Sequence, residues 1–470
     1  MSKQLDLCVV GGGLAGMAAA LRGCELGLSV AVLEKSPEQA YLCNSRMNSG
    51  VFHLASSDIL TPTDDLEKIV NNVTRGTAPP KLVRALAEDA QRAVRWLQAH
   101  GVRFIRGGAA SYHNFVVSPP ATHKEGPFDI LGRGGDVLLR TLEAELTKQG
   151  GQVLRGHAAQ SLHIVDGRCR GVVVQADGQQ SIIEAANVLI ADGGFQANQA
   201  LLKEFGISPD PSRVLQRNAG SGQGDGVKMA RAAGARVSNM LGFYGHVMSR
   251  EALTNMKLWP YPWLDVIAGA AIVVDSTGHR FTDEGRGGVY LANRIAGLQD
   301  PGSATVIFDQ SIWDGAGKEF MNPPNPRLPN SGGTLTSANS LEELAGKLGL
   351  PAQALVEEVR RYNEALDAQA LAQLNPTRSP TPQARPIRTG PFYGIPLAAG
   401  ITHTMGGIAI DEWSRASKED GQVFPGLYAA GSASGGVEGG EHAGYVGGLV
   451  KASVTGIRAA EDMAKQKQAA

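Results

Sequence analysis

A glycine-rich turn near the N-terminus constrains the fold of this chain more than any other feature. The apolar run LDLCVV is followed by GGGLAG and an alanine-rich segment within residues 5–20. A second apolar run, VAVLE, ends at Glu34. A G-x-G-x-x-G turn thus stands between the first apolar run and a helical segment, and an acid ends the second apolar run. This order is typical of a parallel βαβ unit. The pattern predicts that the fold begins with such a unit.

Each glycine of this turn has a separate part in binding a dinucleotide. Gly11 allows the tight turn, Gly13 lets a pyrophosphate approach the backbone, and Gly16 lets the helix pack against the sheet. The free N–H groups at the start of the helix favour a phosphate. Glu34 follows about 20 residues later, where an acid can accept a hydrogen bond from a ribose hydroxyl. The unit therefore predicts a bound dinucleotide.

Length and charge limit the remaining possibilities. The chain has 470 residues and a formal net charge of −1 at pH 7. Because this length exceeds one ordinary hydrophobic core, two domains or one domain with an insertion are expected. Balanced charge without a Lys/Arg-rich block disfavours nucleic acid and an anionic membrane as partners.

The cysteines are scattered and form no C-x-x-C pair, at positions Cys8, Cys24, Cys43 and Cys169. No metal site, iron–sulfur cluster or c-type haem is therefore expected. The sequence shows neither a signal-peptide pattern nor an apolar run long enough to span a membrane. A reducing cytoplasm is the expected location.

Periodicity along the chain predicts alternating helices and strands. Helical spacing covers 64–100, 136–148, 227–233, 351–367 and 446–465, and strand-like runs cover 152–155, 159–165, 169–175, 187–191 and 426–430. Composition shifts over residues 236–390, where Pro-rich segments and aromatic residues accumulate. We interpret this block as an inserted domain with mobile surface loops.

Several motifs, taken in order, resemble the flavoprotein family of fumarate reductase and succinate dehydrogenase. Within it, the chain is similar to single-chain members of the tricarballylate-dehydrogenase and ketosteroid-dehydrogenase type. The resemblance extends over nearly the whole chain. Its motifs are the glycine turn through Glu34, NSR at 44–46 with Ser49-Gly50, GRGG at 132–135, ADGGF at 191–195, GDG at 224–226, RFTDE at 280–284, HTMGG at 403–407 and the glycine-rich stretch 426–436.

The resemblance implies an α/β fold in which a Rossmann-type FAD-binding domain carries an inserted α+β capping domain. The FAD-binding domain would comprise residues 1–235 and 391–470, and the capping (substrate) domain residues 236–390. The family implies FAD, with hydride transfer at the flavin N5 atom. A helix beginning near 445–450 would stabilise negative charge on the reduced flavin.

The resemblance also implies a set of residues that hold FAD. They are Gly11, Gly13, Leu14, Ala15, Gly16, Glu34, Lys35, Asn44, Ser45, Ser49, Gly50, Ala191, Gly193, Gly194, Asp225, Gly431, Gly447 and Leu449. Some relatives attach the flavin through a histidine in the loop near position 43, where this chain has Cys43, so FAD is expected to be non-covalent. The NSR segment alone is also compatible with a solvated turn, and Asp225 with a helix cap.

On the substrate side, the family's histidine matches His403, a directional donor to a substrate oxygen. Arg286 lies near the position of the family's proton-shuttling arginine, and it can either transfer a proton or clamp a carboxylate. His442 stands where the reductases carry a second arginine. Together these three are the candidate catalytic residues, and the candidate substrate-binding residues are Tyr261, Tyr290, Gly407 and Tyr445.

Two departures from the fumarate-reducing pattern bear on the substrate. No arginine occurs in DVIAG at 265–269, and His442 replaces the arginine that grips a second carboxylate. A small dicarboxylate is therefore disfavoured. Tyr244, His246, Tyr261, Trp263 and Tyr445 can line a site for a larger molecule.

These observations predict an FAD-dependent oxidoreductase that makes or saturates a C–C bond next to a carbonyl or carboxylate. A small-molecule carboxylate or ketone would be the substrate. A separate donor or acceptor of electrons, such as a quinone-linked protein or oxygen, would complete the cycle. Two alternatives remain open, a flavin monooxygenase or oxidase on the same fold and a non-catalytic flavoprotein that relays electrons.

Overall fold

A computed structural model describes residues 4–121, 129–319, 322–381 and 383–469. The described α-helices are α1 (Leu14–Glu25), α2 (Asn44–Met47), α3 (Thr63–Thr74), α4 (Pro80–Ala99), α5 (Gly134–Lys148), α6 (Gln199–Glu204), α7 (Asp225–Ala232), α8 (Asp265–Ala270), α9 (Gly288–Ala296), α10 (Gln310–Asp314), α11 (Pro324–Asn330), α12 (Leu341–Leu348), α13 (Ala352–Asp367) and α14 (Gly448–Ala469). None of these helices combines the length and the apolar composition that crossing a bilayer requires.

The described strands are β1 (Leu5–Val10), β2 (Val30–Glu34), β3 (Phe104–Ile105), β4 (Val116–Val117), β5 (Gln152–Arg155), β6 (Ala158–Val165), β7 (Arg168–Ala176), β8 (Gln179–Ile190), β9 (Leu215–Gln216), β10 (Val237–Ser238), β11 (Phe243–Ser249), β12 (Ile272–Val274), β13 (Thr305–Asp309), β14 (Thr336–Ala338), β15 (Phe392–Thr404), β16 (Gly407–Ala409), β17 (Arg415–Ser417), β18 (Val423–Ala429) and β19 (Ser434–Gly435).

The chain divides into two compact units. The first comprises the described parts of Met1–Leu201, Asn218–Gly242 and His403–Ala470, and the second comprises those of Leu202–Arg217 and Phe243–Thr402. These boundaries differ from the predicted domain boundaries. Residues 202–217 and 391–402 fall in the second unit because β9 and β15 are strands of its sheet, whereas 236–242 fall in the first.

The first unit is built on a sheet in the order β17-β18-β8-β1-β2-β5, to which β7 and β6 are added as antiparallel strands. Strand β1 pairs in parallel with β2 and β8, and Val10 stands opposite both Leu33 and Ile190. The carboxyl ends of these three strands therefore lie side by side. In an open parallel sheet this edge is where ligands bind. A smaller sheet in the same unit has the order β10-β16-β19.

The second unit has a sheet in the order β11-β15-β13-β12, with β14 and β9 also paired to β15. Strands β12, β13 and β15 are antiparallel neighbours. The segment around Trp259 was predicted as a mobile surface loop, but Trp259 is only 9% exposed and Arg378, in the second Pro-rich segment, is fully buried. The prediction was wrong there because aromatic and arginine side chains pack inside this unit.

The predicted helix over 64–100 is two helices, α3 and α4. Arg75 takes a left-handed conformation (φ 53°) that ends α3, and Pro80 is the first residue of α4. A proline at the first helical position costs no hydrogen bond, so it starts a helix and does not continue one.

Candidate active site

The glycine turn between β1 and α1 admits no side chain at two of its positions. Gly11 has φ 104°, and a Cβ on it would lie 2.6 Å from Asp192 Cα. A Cβ on Gly16 would lie 2.1 Å from Gly11 O. The cap residue of α1 is Gly13, which has no side chain to accept a hydrogen bond from the first turn. Leu14 N donates instead to Ser45 Oγ at 2.9 Å. Close contacts within the protein therefore require glycine at both positions.

Glu34 lies beside this turn, as the dinucleotide pattern predicts. Its Oε2 accepts from Gly12 N at 3.3 Å and its Oε1 from Ser36 N at 3.0 Å. The residue is only 9% exposed. Its carboxylate is thus held at the end of β2, where it can also accept from a sugar hydroxyl.

Asp192 belongs to this site, and the sequence analysis missed it while selecting Ala191, Gly193 and Gly194. Its Oδ2 accepts from Gly226 N at 2.7 Å, whereas Oδ1 is buried without a hydrogen-bond partner among the described residues. Burial, with a smaller contribution from Asp225, raises the pKa of Asp192 to about 6. A buried acceptor without a donor is costly, so this atom fits a hydroxyl from a ligand. The signal in the sequence was an acid directly after a buried strand.

The segment after Cys43 is helical and is not a solvated turn. Asn44 begins α2, and its Oδ1 accepts from Ala219 N at 3.0 Å. Gly50 has φ 80° and packs against Val117, while Ser49 is exposed. Burial raises the pKa of the Cys43 thiol to about 11, so this sulfur is a poor nucleophile at neutral pH.

Asp225 does not cap α7, which was one of its two predicted roles. It is the first residue of that helix, and Gly224 is the cap residue. The carboxylate pairs with Lys228 Nζ at 2.8 Å and with Lys35 Nζ at 3.6 Å. Lys35 Nζ also donates to Ser221 O at 3.2 Å. Both predicted cofactor residues, Lys35 and Asp225, therefore lie in one partly exposed ionic cluster.

The C-terminal glycines of the first unit stand where backbone segments nearly touch. Gly431 has φ 64°, and its N donates to Thr455 Oγ1 at 3.0 Å. A Cβ on Gly447 would lie 2.4 Å from His53 O. Helix α14 begins at Gly448, with Leu449 half-buried in its first turn. Its start falls within the predicted 445–450 region.

His403 is a buried, neutral imidazole beside the start of α14. The residue is 8% exposed, and burial lowers its pKa to about 4, although Glu438 opposes the change. A Cβ on Gly448 would lie 3.2 Å from His403 Cε1, and the His403 and Tyr445 rings are 5.8 Å apart. Tyr445 OH accepts from Gly448 N at 3.1 Å. The structure thus brings together two of the predicted substrate-side residues.

A second histidine, His53, also lies near Tyr445, and the centres of their rings are 5.7 Å apart. Its Nδ1 accepts from Ser56 N at 3.1 Å, so the ring proton of the neutral form is on Nε2. Burial lowers its pKa to about 4. Sequence reasoning missed His53 because no motif or spacing connects it to position 403.

A buried ion pair between Lys451 and Glu438 contacts the backbone just after Tyr445. Lys451 Nζ donates to Glu438 Oε2 and to Ser434 O, each at 2.9 Å. Glu438 Oε1 accepts from Val446 N at 3.0 Å. Burial raises the pKa of Glu438, but attraction to Lys451 and the hydrogen bond from Val446 N outweigh this effect, so the pKa is lowered overall. The pair fixes the backbone that leads into α14.

Backbone contacts fix the positions of two further predicted residues of the first unit, His442 and Gly407. His442 is half-buried in a turn that the hydrogen bond from Ala443 N to Gly440 O closes at 3.0 Å. A Cβ on Gly407 would lie 2.3 Å from Ala433 O, so a close contact between strands requires this glycine.

In the second unit, Arg286 and Tyr290 are in contact. The guanidinium carbon of Arg286 lies 3.7 Å from the centre of the Tyr290 ring, and both residues are half-buried. Glu284 is fully buried and pairs with Arg280 at 2.6 Å. Arg286 therefore stands on a rigid turn, and its charge is held over an aromatic face.

A hydrogen-bonded chain of three side chains lies in the same unit. His246 Nδ1 is 2.6 Å from Asp265 Oδ2, and His246 Nε2 is 3.1 Å from Tyr244 OH. Because a carboxylate accepts, Nδ1 carries the proton and Nε2 accepts from the tyrosine. Trp263 stacks on His246 at 3.6 Å, and Tyr261 lies 5.2 Å from Trp263. Such a chain can pass a proton to or from a tyrosine hydroxyl.

Comparison with known proteins relates the whole chain to flavoproteins. A family model described as "FAD binding domain" matches residues 6–445. The NADH:fumarate oxidoreductase of Klebsiella pneumoniae (strain 342) is 28% identical over 455 residues, which cover 94% of this chain and 46% of that protein. The chain thus spans about half the length of that relative.

Two other relatives match over nearly their full length. The vinyl phenol reductase of Lactiplantibacillus plantarum is 26% identical over 468 residues, which cover 92% of this chain and 90% of that protein. The crystal structure of 3-ketosteroid-Δ4-(5α)-dehydrogenase from Rhodococcus jostii RHA1 has a TM-score of 0.72 and 21% identity, and the match covers 99% of this chain and 98% of that one. The structural likeness shows that the fold is shared.

Proposed function

The chain belongs to the FAD binding domain family, and from that premise we propose that it is an FAD-dependent oxidoreductase acting on CH–CH groups. The reaction moves one hydride and one proton to or from two adjacent carbons, one of them next to a carbonyl or carboxylate. The observation that carries the proposal is the buried neutral His403 beside Gly448 at the start of α14. This places a directional hydrogen-bonding group in the same unit as the glycine turn.

When bound, FAD would supply the site that takes or gives the hydride. The glycine turn at 11–16, Glu34, Asn44 and Ser45 would hold it in the first unit, together with Asp192. One feature of that unit fits the group: the buried Oδ1 of Asp192 lacks a donor among the described residues. The raised pKa of the Cys43 thiol favours non-covalent FAD.

His403 has the role of holding the substrate oxygen. A neutral imidazole donates one directional hydrogen bond, and its burial makes that bond stronger than it would be in water. The oxygen next to the reacting carbons gains negative charge as the C–H bond forms or breaks. His442 would assist from its neighbouring turn.

Arg286 has the role of a substrate clamp or a proton carrier. Its guanidinium lies over Tyr290, which keeps the cation in place on its turn. As a clamp it needs only its fixed charge, whereas proton transfer needs a site that lowers its pKa. Tyr261 and Tyr290 would contact the substrate.

The names of the relatives agree with this class of reaction. Fumarate and vinyl phenol each contain a carbon–carbon double bond, and a ketosteroid dehydrogenase forms one. We propose the dehydrogenase direction, because the DVIAG segment lacks the arginine of the fumarate reductases. Electrons would pass to a separate acceptor, a quinone-linked protein or oxygen, and the protein would work in the cytoplasm. The first unit would bind FAD and the second would be the capping domain.

The test is anaerobic mixing of the FAD-loaded protein with saturated carboxylates and cyclic ketones while the visible flavin absorbance is followed. We expect at least one compound to bleach the flavin. Arg286→Ala should abolish the bleaching and retain bound FAD, because the arginine lies outside the unit that holds the glycine turn.

The matched control is Arg294→Ala, an exposed arginine on α9, which should leave the bleaching rate unchanged. Unchanged turnover in Arg286→Ala would contradict the role of Arg286. If no substrate bleaches the flavin and no enone or enoate reoxidises the photoreduced protein, the proposed reaction class is wrong.

A further inference from the structure

Arg217, which follows β9 in the second unit, is a cation without a matching anion. Its Nη1 donates to Thr402 Oγ1 at 2.9 Å and its Nη2 to Pro260 O at 3.3 Å, and both acceptors are neutral. Among the described residues, no carboxylate lies within 4.0 Å of the guanidinium, and its Nε is buried without a hydrogen-bond partner. A buried cation without an anion is costly.

Three buried arginines elsewhere in the described chain are paired with acids. Arg46 pairs with Asp136, and Arg280 and Arg378 both pair with Glu284. Asp265 is the acid whose charge acts on Arg217, but both of its carboxylate oxygens already have hydrogen-bond partners. Its Oδ2 is bonded to His246, and its Oδ1 accepts from Val247 N at 2.7 Å.

An aromatic ring lies beside the cation, with a second ring next to it. The guanidinium carbon lies 5.4 Å from the centre of the Trp263 ring, and Tyr261 is 5.2 Å from Trp263. Burial lowers the pKa of Arg217, while Tyr261, Tyr244 and Asp265 partly oppose the change. The group nevertheless stays protonated, as arginine does in proteins. Arg217, Tyr261 and Trp263 are all partly exposed, so a ligand can reach them.

The backbone leaves room for this side chain. A Cβ on Gly400 would lie 2.5 Å from Arg217 Cδ, so the stem of the arginine occupies the space that a larger residue at 400 would fill. Thr402, two residues further along β15, accepts the hydrogen bond from Nη1. The position of the cation is therefore fixed before any ligand binds.

We propose that Arg217 binds the carboxylate of the substrate, and that the substrate is a monocarboxylate with a flat aromatic body that lies against Tyr261 and Trp263. One guanidinium supplies one positive charge and two outward N–H groups, which match a single carboxylate. The rings suit a flat hydrocarbon body. The inference rests on the proposed function, because it names the substrate class of that reaction.

The test measures binding by titration calorimetry on the full-length, FAD-loaded protein, with cinnamate and its uncharged amide as probes. The wild type should bind cinnamate more tightly than cinnamamide. Arg217→Gln should weaken cinnamate binding by about 10- to 100-fold, as expected for a hydrogen bond to a charged group, and leave amide binding unchanged. Arg217→Lys should lie between the two.

Arg250→Gln is the matched control. Arg250 is another partly buried arginine of this unit, and its Nη2 donates to the backbone oxygen of Ala304. Burial lowers the pKa of Arg250, as it does for Arg217, and the neighbouring acid Glu251 partly opposes the change. This variant should bind cinnamate as the wild type does. FAD content and circular dichroism of each variant establish that it is folded.

Cinnamate binding that is equal in Arg217→Gln and the wild type would overturn the inference, as would a wild type that binds neither probe or both equally. The proposed function fails separately. Arg217-dependent binding without any electron transfer contradicts the reaction class and keeps the site, whereas electron transfer indifferent to Arg217 contradicts the site and keeps the reaction class.

Discussion

His403 and Arg217 show how burial sets the chemistry of single residues in this chain. Burial keeps His403 neutral. It also lowers the pKa of Arg217, which nevertheless stays charged because a free guanidinium has so high a pKa. The HTMGG motif made His403 predictable. Arg217 was not predictable, because its importance comes from a missing carboxylate, which only the folded arrangement reveals.

At this scale we predict that His403→Asn lowers kcat/KM on the order of 100-fold and retains FAD, because one preorganised donor to the substrate oxygen is lost. Steady-state kinetics and the flavin spectrum measure both effects. His157→Asn, a half-buried histidine bonded to Arg155 O, serves as the control and should be unaffected. A His403→Asn variant with wild-type kcat/KM would contradict the role.

The pH dependence of stability checks the protonation state of His403. Its folded pKa of about 4 lies below the ordinary value of 6.5, so the unfolded chain takes up the proton first. Stability is lost as pH falls from 6.5 towards 4, by up to about 3 kcal/mol from this group. Denaturant unfolding should show a smaller loss in His403→Asn over this window, and an equal loss would contradict a buried neutral ring.

At the scale of elements, the glycine turn joins sequence to site most directly. The βαβ unit, the strands at 152–155, 159–165 and 169–175 and the last helix were all predicted from periodicity, and the structure confirms them, with β5 pairing in parallel with β2 and β6 antiparallel to β7. The α/β fold and the FAD family are also confirmed. Such patterns depend on residues that are close together in the sequence, so they can be recognised without the structure.

Other features were not predictable because they depend on contacts distant in sequence. Asp192 matters because one of its carboxylate oxygens accepts a hydrogen bond from Gly226 N, while the other has no hydrogen-bond partner among the described residues. His53 matters because the chain returns to it at Tyr445 and Gly447. No spacing rule connects residues so far apart along the chain.

The prediction at this scale compares two glycines with positive φ. Gly11→Ala should abolish FAD binding, because its Cβ would lie 2.6 Å from the backbone of Asp192, whereas nothing lies within 4 Å of a Cβ on Gly27. Gly27→Ala should cost only about 1 kcal/mol of backbone strain and keep FAD. Flavin content after purification and thermal unfolding measure both effects. Equal FAD content in the two variants would contradict the assigned role of the turn.

At the scale of the whole molecule, the residues with proposed roles divide between the two units. The first contains the glycine turn, Asp192 and His403, and the second contains Arg286 and the cluster around Arg217. Variants of the glycine turn and of Asp192 should therefore change flavin content, whereas variants of His403 and of the second unit should change substrate parameters and retain FAD.

The most direct measurement of the central claim is the visible absorbance spectrum of the purified full-length protein after incubation with FAD and removal of the unbound cofactor. We expect one FAD per chain, released intact on denaturation and absent from Gly11→Ala. A colourless protein that takes up no added FAD would contradict it.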